Sequence, residues 1–317
     1  MYAATAMAPH MGPVAVSNHA DNLTISKHSP QAHTNNARCK TPLSLPTPIN
    51  IVTLVHLLLG YDNDVTLKLL RGFTEGFSLG STSVMPARLC INHPSVAIHA
   101  KFVLSKISSD VSKGRVKGPY SKPPLNNFVS SPLGVVPKKN TDSFRIIHDL
   151  SYPKHAMHVN ATIPRENSTV SLDNFDNVAS LVLSAGKSSL LAKADIEEAF
   201  RIIPISPLDY HKLGFKFENN FYFDRVLPMG ASSSVAIFET FSRALQWFLK
   251  NNFNVTRVSH IIDDFIFVGP SASTECLNSL NAFFKLASTI GLTIKSDKTV
   301  MPSTVVEVHG ITVNTDD

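Results

Sequence analysis

The sequence predicts an α+β fold, with an antiparallel sheet backed by helices. Three observations carry that expectation. From about residue 130, short apolar runs of strand length alternate with stretches whose apolar positions recur at helical spacing. Several neighbouring runs are joined by short polar turns, as antiparallel strands are. The 317 residues are 43% hydrophobic and 17% charged, which suits a chain that buries a substantial core.

Each element follows from local pattern. Residues 1–45 are rich in Ala, His, Asn, Ser and Pro without periodic apolar positions, and read as a disordered leader. Residues 46–125 read as a helical N-terminal extension. Val55, Leu58, Leu59, Leu67, Leu70, Phe73 and Phe77 are helically spaced over 47–78, and Pro94 opens a helix through Val103, Ile107 and Val111 that ends near Gly114. The segment Gly118-Pro-Tyr-Ser-Lys-Pro-Pro124 then breaks regular structure. Within the domain expected over 126–317, Leu133–Pro137 and Phe144–His148 read as strands joined by a polar turn. A helix spans roughly 172–183 and a strand ends at Asp195. A hairpin turns about Glu218-Asn-Asn220. Ser232 to Ser234 offer an N-cap for a helix through Ile237, Phe238, Phe241, Leu245 and Phe248. A strand–turn–strand unit carries Asp263 and Asp264. A helix with Leu277, Leu280 and Phe284 on one face stops at Gly291, and strands near 305–308 and 311–313 follow.

The formal net charge of +5 is unevenly placed. Lys101, Lys106, Lys113, Arg115, Lys117, Lys122, Lys138, Lys139 and Arg145 face only Asp110 and Asp142 within 101–145, a landing strip for phosphates or a solvated basic face. Cys39, Cys90 and Cys276 have no metal or disulfide spacing and suit reduced thiols. With no signal peptide or membrane-length apolar run, the chain is expected to be soluble and intracellular, with nothing that selects nucleus over cytoplasm, and with no membrane partner.

The chemistry concentrates in Asp195, Asp263 and Asp264, each flanked by apolar strand-forming residues. Adjacent buried like charges are costly unless a cation neutralises them, and hard carboxylate oxygens select a divalent metal. The predicted topology brings the Asp195 strand beside the Asp263-Asp264 turn. Paired Mg²⁺ ions there, with Mn²⁺ as a substitute, would serve two-metal phosphoryl transfer, and the Ile196 carbonyl would add a further oxygen.

Six ordered blocks over about 130–315 resemble reverse transcriptases, most closely those of retrotransposons of the tyrosine-recombinase (DIRS-like) type. Ser131-Pro-Leu-Gly-Val-Val-Pro-Lys-Lys-Asn140 with Phe144-Arg-Ile-Ile-His-Asp-Leu150 looks like the fingers hairpin. Lys193-Ala-Asp-Ile-Glu-Glu-Ala-Phe200 looks like the first catalytic block, and Leu227-Pro-Met-Gly-Ala-Ser-Ser-Ser-Val-Ala-Ile-Phe238 like the nucleotide and template block. Ile261-Ile-Asp-Asp264 takes the place of Tyr-x-Asp-Asp, while Gly291-Leu-Thr-Ile-Lys-Ser-Asp-Lys298 and Val308-His-Gly310 look like the blocks closing the palm. The resemblance implies a right-hand fingers and palm, lacking a thumb. It implies RNA-templated DNA synthesis from dNTPs on a primer and an RNA or DNA template, by a fragment of a retrotransposon polyprotein. Thumb and RNase H segments are expected to be encoded elsewhere.

The resemblance also implies roles. Asp195, Asp263 and Asp264 bind the metals. Lys138 and Arg145 contact the triphosphate. Phe200 crowds a ribose 2′-hydroxyl, and Met229 and Gly230 line the nucleotide. Lys298 protonates pyrophosphate, and His309 and Gly310 form the primer grip. Without the flanking blocks, Lys138, Arg145 and Lys298 read as surface charges and Phe200 as a core aromatic. Ile261, Met229, Val235 and Val308-His309 depart from the usual pattern. The alternative is a catalytically inactive remnant that serves as a nucleic-acid-binding module.

Overall fold

The computed structural model of the chain describes residues 44–138 and 142–317. The leader expected over 1–45 falls almost wholly outside them, as does Lys139. The described residues form one unit, Ser44–Asp317.

Its centre is a four-stranded antiparallel sheet in the order β7-β8-β4-β9, built from β4 (Leu190–Asp195), β7 (Val258–Ile261), β8 (Asp264–Gly269) and β9 (Val300–Ser303). Alternation along the strands assigns the two faces. Ala192, Ala194, Phe265 and Phe267 join the large core with α6 (Ser234–Asn252) and α7 (Glu275–Ile290). The small alanines let those helices approach, while the phenylalanines fill the remaining depth; Phe265 stacks on Phe283 at 4.5 Å. Leu191, Ile266 and Val268 face the other way. They pack on Val178 of α5 (Phe175–Ala185) and on Val306 and Val308 of β10 (Val305–Val308), which pairs with β11 (Ile311–Asn314).

A second body of structure leans on β2 (Leu133–Pro137) and β3 (Phe144–His148), the two expected strands, paired antiparallel from Leu133 opposite His148 to Pro137 opposite Phe144. A three-stranded sheet orders β1 (Val116–Tyr120), β6 (Asn220–Asp224) and β5 (Gly214–Phe217). The extension supplies α1 (Ile51–Leu57), α2 (Asn63–Glu75), α3 (Pro94–Ile98) and α4 (Ala100–Ser112).

Several expectations are corrected. The helix expected over 47–78 is two helices, interrupted at Gly60 with φ +87° and restarted by Asp62, whose side chain accepts from the Val65 N–H. The helix from Pro94 is broken at His99. Residues 116–120 form the strand β1 in spite of Pro119, because β1 is an edge strand and an edge tolerates the missing N–H. The edge strand β9, which contains Pro302, was likewise unmarked in the sequence. On α7 the buried face is Cys276, Leu280, Phe283, Ala287 and Ile290; Leu277 and Phe284 flank it instead of defining it. Ser233 occupies the N-cap of α6 without a side-chain cap bond.

Candidate active site

Strand register sets the site. Asp195, the last residue of β4, stands directly opposite Asp264, the first of β8, on the sheet face away from α6 and α7. Asp263 belongs to the two-residue loop between Ile261 and Asp264, and its carbonyl accepts from the Ile196 N–H at 3.1 Å. Three carboxylates separated by about seventy positions in sequence therefore share one end of the two central strands.

Their electrostatics follow from that crowding. Burial, then the charges of Asp195 and Asp264, push the Asp263 carboxyl up to about 6. Burial also raises Asp195, against the pull of Lys298, whose ammonium donates to Asp195 Oδ2 at 2.6 Å. The same bond, ahead of the burial that opposes it, raises Lys298. Lys193 lies 3.1 Å from Asp264 Oδ2. It sits two residues before Asp195 on the same strand face, and the strand register brings it to Asp264.

Among the described residues no three His, Cys, Asp or Glu side chains converge as a finished metal cage. The donor set nevertheless fits a hard divalent cation. All three side chains are carboxylates, Asp264 Oδ1 is buried without a hydrogen-bond partner, and the charge crowding that raises Asp263 is what such a cation would relieve.

The remaining expected residues divide into groups. Lys138, Arg145 and Met229 line one cavity of about 300 Å³, together with Phe102, Phe144 and Arg201. Phe200 is outside that lining and packs against Phe238, ring centroids 5.4 Å apart, at the margin of the core. Gly230 has a packing reason of its own, because a Cβ there would overlap the His148 carbonyl oxygen. His309 and Gly310, with φ +52° and +81°, form the tight turn of the β10–β11 hairpin, as a two-residue loop of that hand requires. His309 is half-buried, its Nε2 unpartnered, and burial lowers its pKa.

Sequence pattern also missed a buried ion network. Asp224 meets His148 at 3.3 Å and Arg201 at 2.7 Å, and Arg201 continues to Asp110 at 2.9 Å. Glu198, just beyond Asp195, is held by Lys113 and Arg115.

The sequence model of the family described as reverse transcriptase (RNA-dependent DNA polymerase) matches residues 136–313, more than half of the chain. Protein P of duck hepatitis B virus, strain United States/DHBV-16, is 28% identical over 191 residues, 58% of this chain and 21% of that protein. Protein P of the China strain is 31% identical over 116 residues, 36% of this chain and 14% of that protein. Among solved structures, native prototype foamy virus protease–reverse transcriptase aligns with TM-score 0.55 at 20% identity, over 74% of this chain and 28% of that one. The foamy viral protease–reverse transcriptase in complex with RNA/DNA hybrid gives 0.54 at 18%, over 87% and 37%. This likeness identifies the architecture as fingers and palm. The chain spans 14% to 21% of the length of these curated relatives.

Proposed function

The chain belongs to the reverse transcriptase family, and we propose that it carries out RNA-templated DNA synthesis, joining a dNTP to a primer 3′-hydroxyl. The observation that carries this reading is the pairing of Asp195 with Asp264 at the end of the two central strands, beside the loop that holds Asp263, inside the segment matched to the family.

Asp195, Asp263 and Asp264, with the Ile196 carbonyl, are the residues to hold Mg²⁺ or Mn²⁺. Such ions, when bound, supply the positive charge that activates a hydroxyl and stabilises a departing pyrophosphate. The chain's own groups do the rest. Arg145 takes the triphosphate with a planar fork and Lys138 as a point charge, both from the fingers hairpin. Met229, exposed at the rim of their cavity, lies against the nucleotide. Phe200 limits room beside the sugar, which favours deoxynucleotides. Lys298, already bonded to Asp195, holds a proton close to where pyrophosphate leaves. His309 and Gly310 seat the primer end. RNA or DNA template, primer and dNTPs are the partners, and among the described residues no helix is long and apolar enough to cross a membrane. The ordered blocks favour a retrotransposon of the DIRS-like type as the source.

The test is extension of a primed RNA template with dNTPs and Mg²⁺. Wild type is expected to extend, and Asp263→Ala to lose at least about a hundredfold of the rate. RNA binding without extension in wild type would replace the polymerase reading with the inactive nucleic-acid-binding one. A tyrosine-recombinase gene beside the coding sequence would support the element type.

A further inference from the structure

One face of α6 is polar where it should be apolar. Glu239, Ser242 and Gln246 recur at i, i+3 and i+7, so they align along the helix, and Glu239 and Ser242 are fully buried among Phe238, Phe241 and Leu245. Buried polar groups are kept only when partnered. Here most partners lie on β7 and the acidic loop; Arg243 of α6 itself donates from Nε to Glu239 Oε1 at 3.1 Å, and Glu239 Oε2 is buried without a partner. Gln246 Nε2 donates to the Val258 carbonyl at 3.0 Å, which fixes its amide, and its Oε1 lies 2.5 Å from His260 Nδ1. Glu239 Oε1 lies 3.2 Å from His260 Nε2. Ser242 Oγ donates to the Ile262 carbonyl at 2.6 Å.

Ile262 makes the last contact informative. Its φ of +58° puts a β-branched side chain in the left-handed region, which such residues avoid, at a loop position immediately before Asp263. A strained residue persists where its surroundings over-determine it. We infer that Ser242 is a positioning residue: with Glu239 and Gln246 behind it, it holds Ile262 left-handed and so sets the direction of the Asp263 carboxylate. The inference rests on the polymerase reading for its functional meaning, but the conformational role stands on the turn alone.

The experiment uses the full chain with Ser242→Ala, Ile262→Asn and the double variant. Asn tolerates the left-handed region, so it should need the Ser242 bond less. Ser242→Ala is expected to lower kcat for primer extension by about tenfold to a hundredfold with KM for dNTP unchanged, because misdirection of a reacting group costs rate and not ground-state binding. In the protein without nucleic acid, amide exchange at 262–264 should quicken by about fivefold to tenfold, the loss of one hydrogen bond, while exchange in β2 and β3 stays put. The double variant should recover most of kcat and of the exchange protection. Unchanged exchange in Ser242→Ala overturns the inference even if wild type extends primers, as does a double variant no better than the single. If wild type makes no product but Ser242→Ala still loosens 262–264, the polymerase reading fails and the conformational role survives.

Discussion

Lys193 and Asp264 sit on neighbouring strands and meet 3.1 Å apart, while Lys298 meets Asp195 at 2.6 Å, so each end of the acidic edge carries a cation from the chain itself. Both Lys193 and Asp264 are largely covered, and removing one partner of a covered pair costs about 1–3 kcal/mol because the other charge is left uncompensated. Lys193→Met is therefore expected to melt earlier than wild type in EDTA. Added Mg²⁺ should raise its Tm by more than it raises wild type's, since the unrelieved carboxylates bind the cation more strongly. Equal Mg²⁺ shifts in calorimetry would show that Lys193 does not share the cation's place. Gly230→Ala tests a second residue: its Cβ would overlap the His148 carbonyl, and overpacking against backbone costs about 1–3 kcal/mol in a denaturant titration. The three acids were legible as residue types beside apolar runs. Lys193 was not, because its meaning depends on which face of β4 the register exposes, and register is a tertiary fact. Gly230 was read for nucleotide approach; its packing against the His148 carbonyl was not legible, because that contact joins segments far apart in the sequence.

The elements that sequence pattern located well are those whose own residues decide them. The hairpin of β2 and β3 and that of β5 and β6 are apolar runs about polar turns, and α7 ends at Gly291, left-handed at φ +89°. The edge strands β1 and β9 escaped because each contains a proline, which argues against a strand until the edge position is known. The tie between the segment just after α4 and the turn after Asp195 escaped too, since Glu198 and its partners are over eighty residues apart. Burial alone would raise the Glu198 carboxyl, but hydrogen bonds from Arg115 and Lys113 outweigh it and hold it at about 2, below the ordinary 4.5. A depressed carboxyl stabilises the fold above its unfolded pKa and loses that contribution as pH falls through its folded value. Stability from this tie should thus be whole above about pH 4.5 and drain away toward pH 2. Glu198 is 40% exposed, so screening keeps the effect below about 1 kcal/mol. Asp224, buried and also held low, chiefly by Arg201 against its burial, loses stability in the same direction. Arg115→Gln should flatten the acid limb of a stability–pH curve without removing the Asp224 part; an unchanged limb would assign it to Asp224 alone.

For the molecule as a whole, the basic segment 101–145 is the feature whose sequence reading the structure divides. Lys113 and Arg115 are spent on Glu198, while Lys101, Lys106, Lys117, Lys122, Lys138 and Arg145 are exposed and carry no side-chain ion pair among the described residues. A count of charges treats all of these alike; a nucleic-acid backbone does not. Each cation that neutralises a duplex phosphate releases counterions and adds about 0.9 to the slope of log K against log salt. Lys113→Ala is expected to leave that slope for an RNA/DNA hybrid as it was, because its charge is already compensated inside the protein. Lys117→Ala with Lys122→Ala should flatten it by up to about 2 and weaken binding most at low salt. Fluorescence anisotropy across a sodium chloride series reads both. If Lys113→Ala flattens the slope as much as the paired variant, the ion pair with Glu198 opens on binding, and the segment acts as the undivided basic face that composition suggests. If neither changes it, the phosphates run elsewhere, and the exposed lysines serve only to keep the surface hydrated.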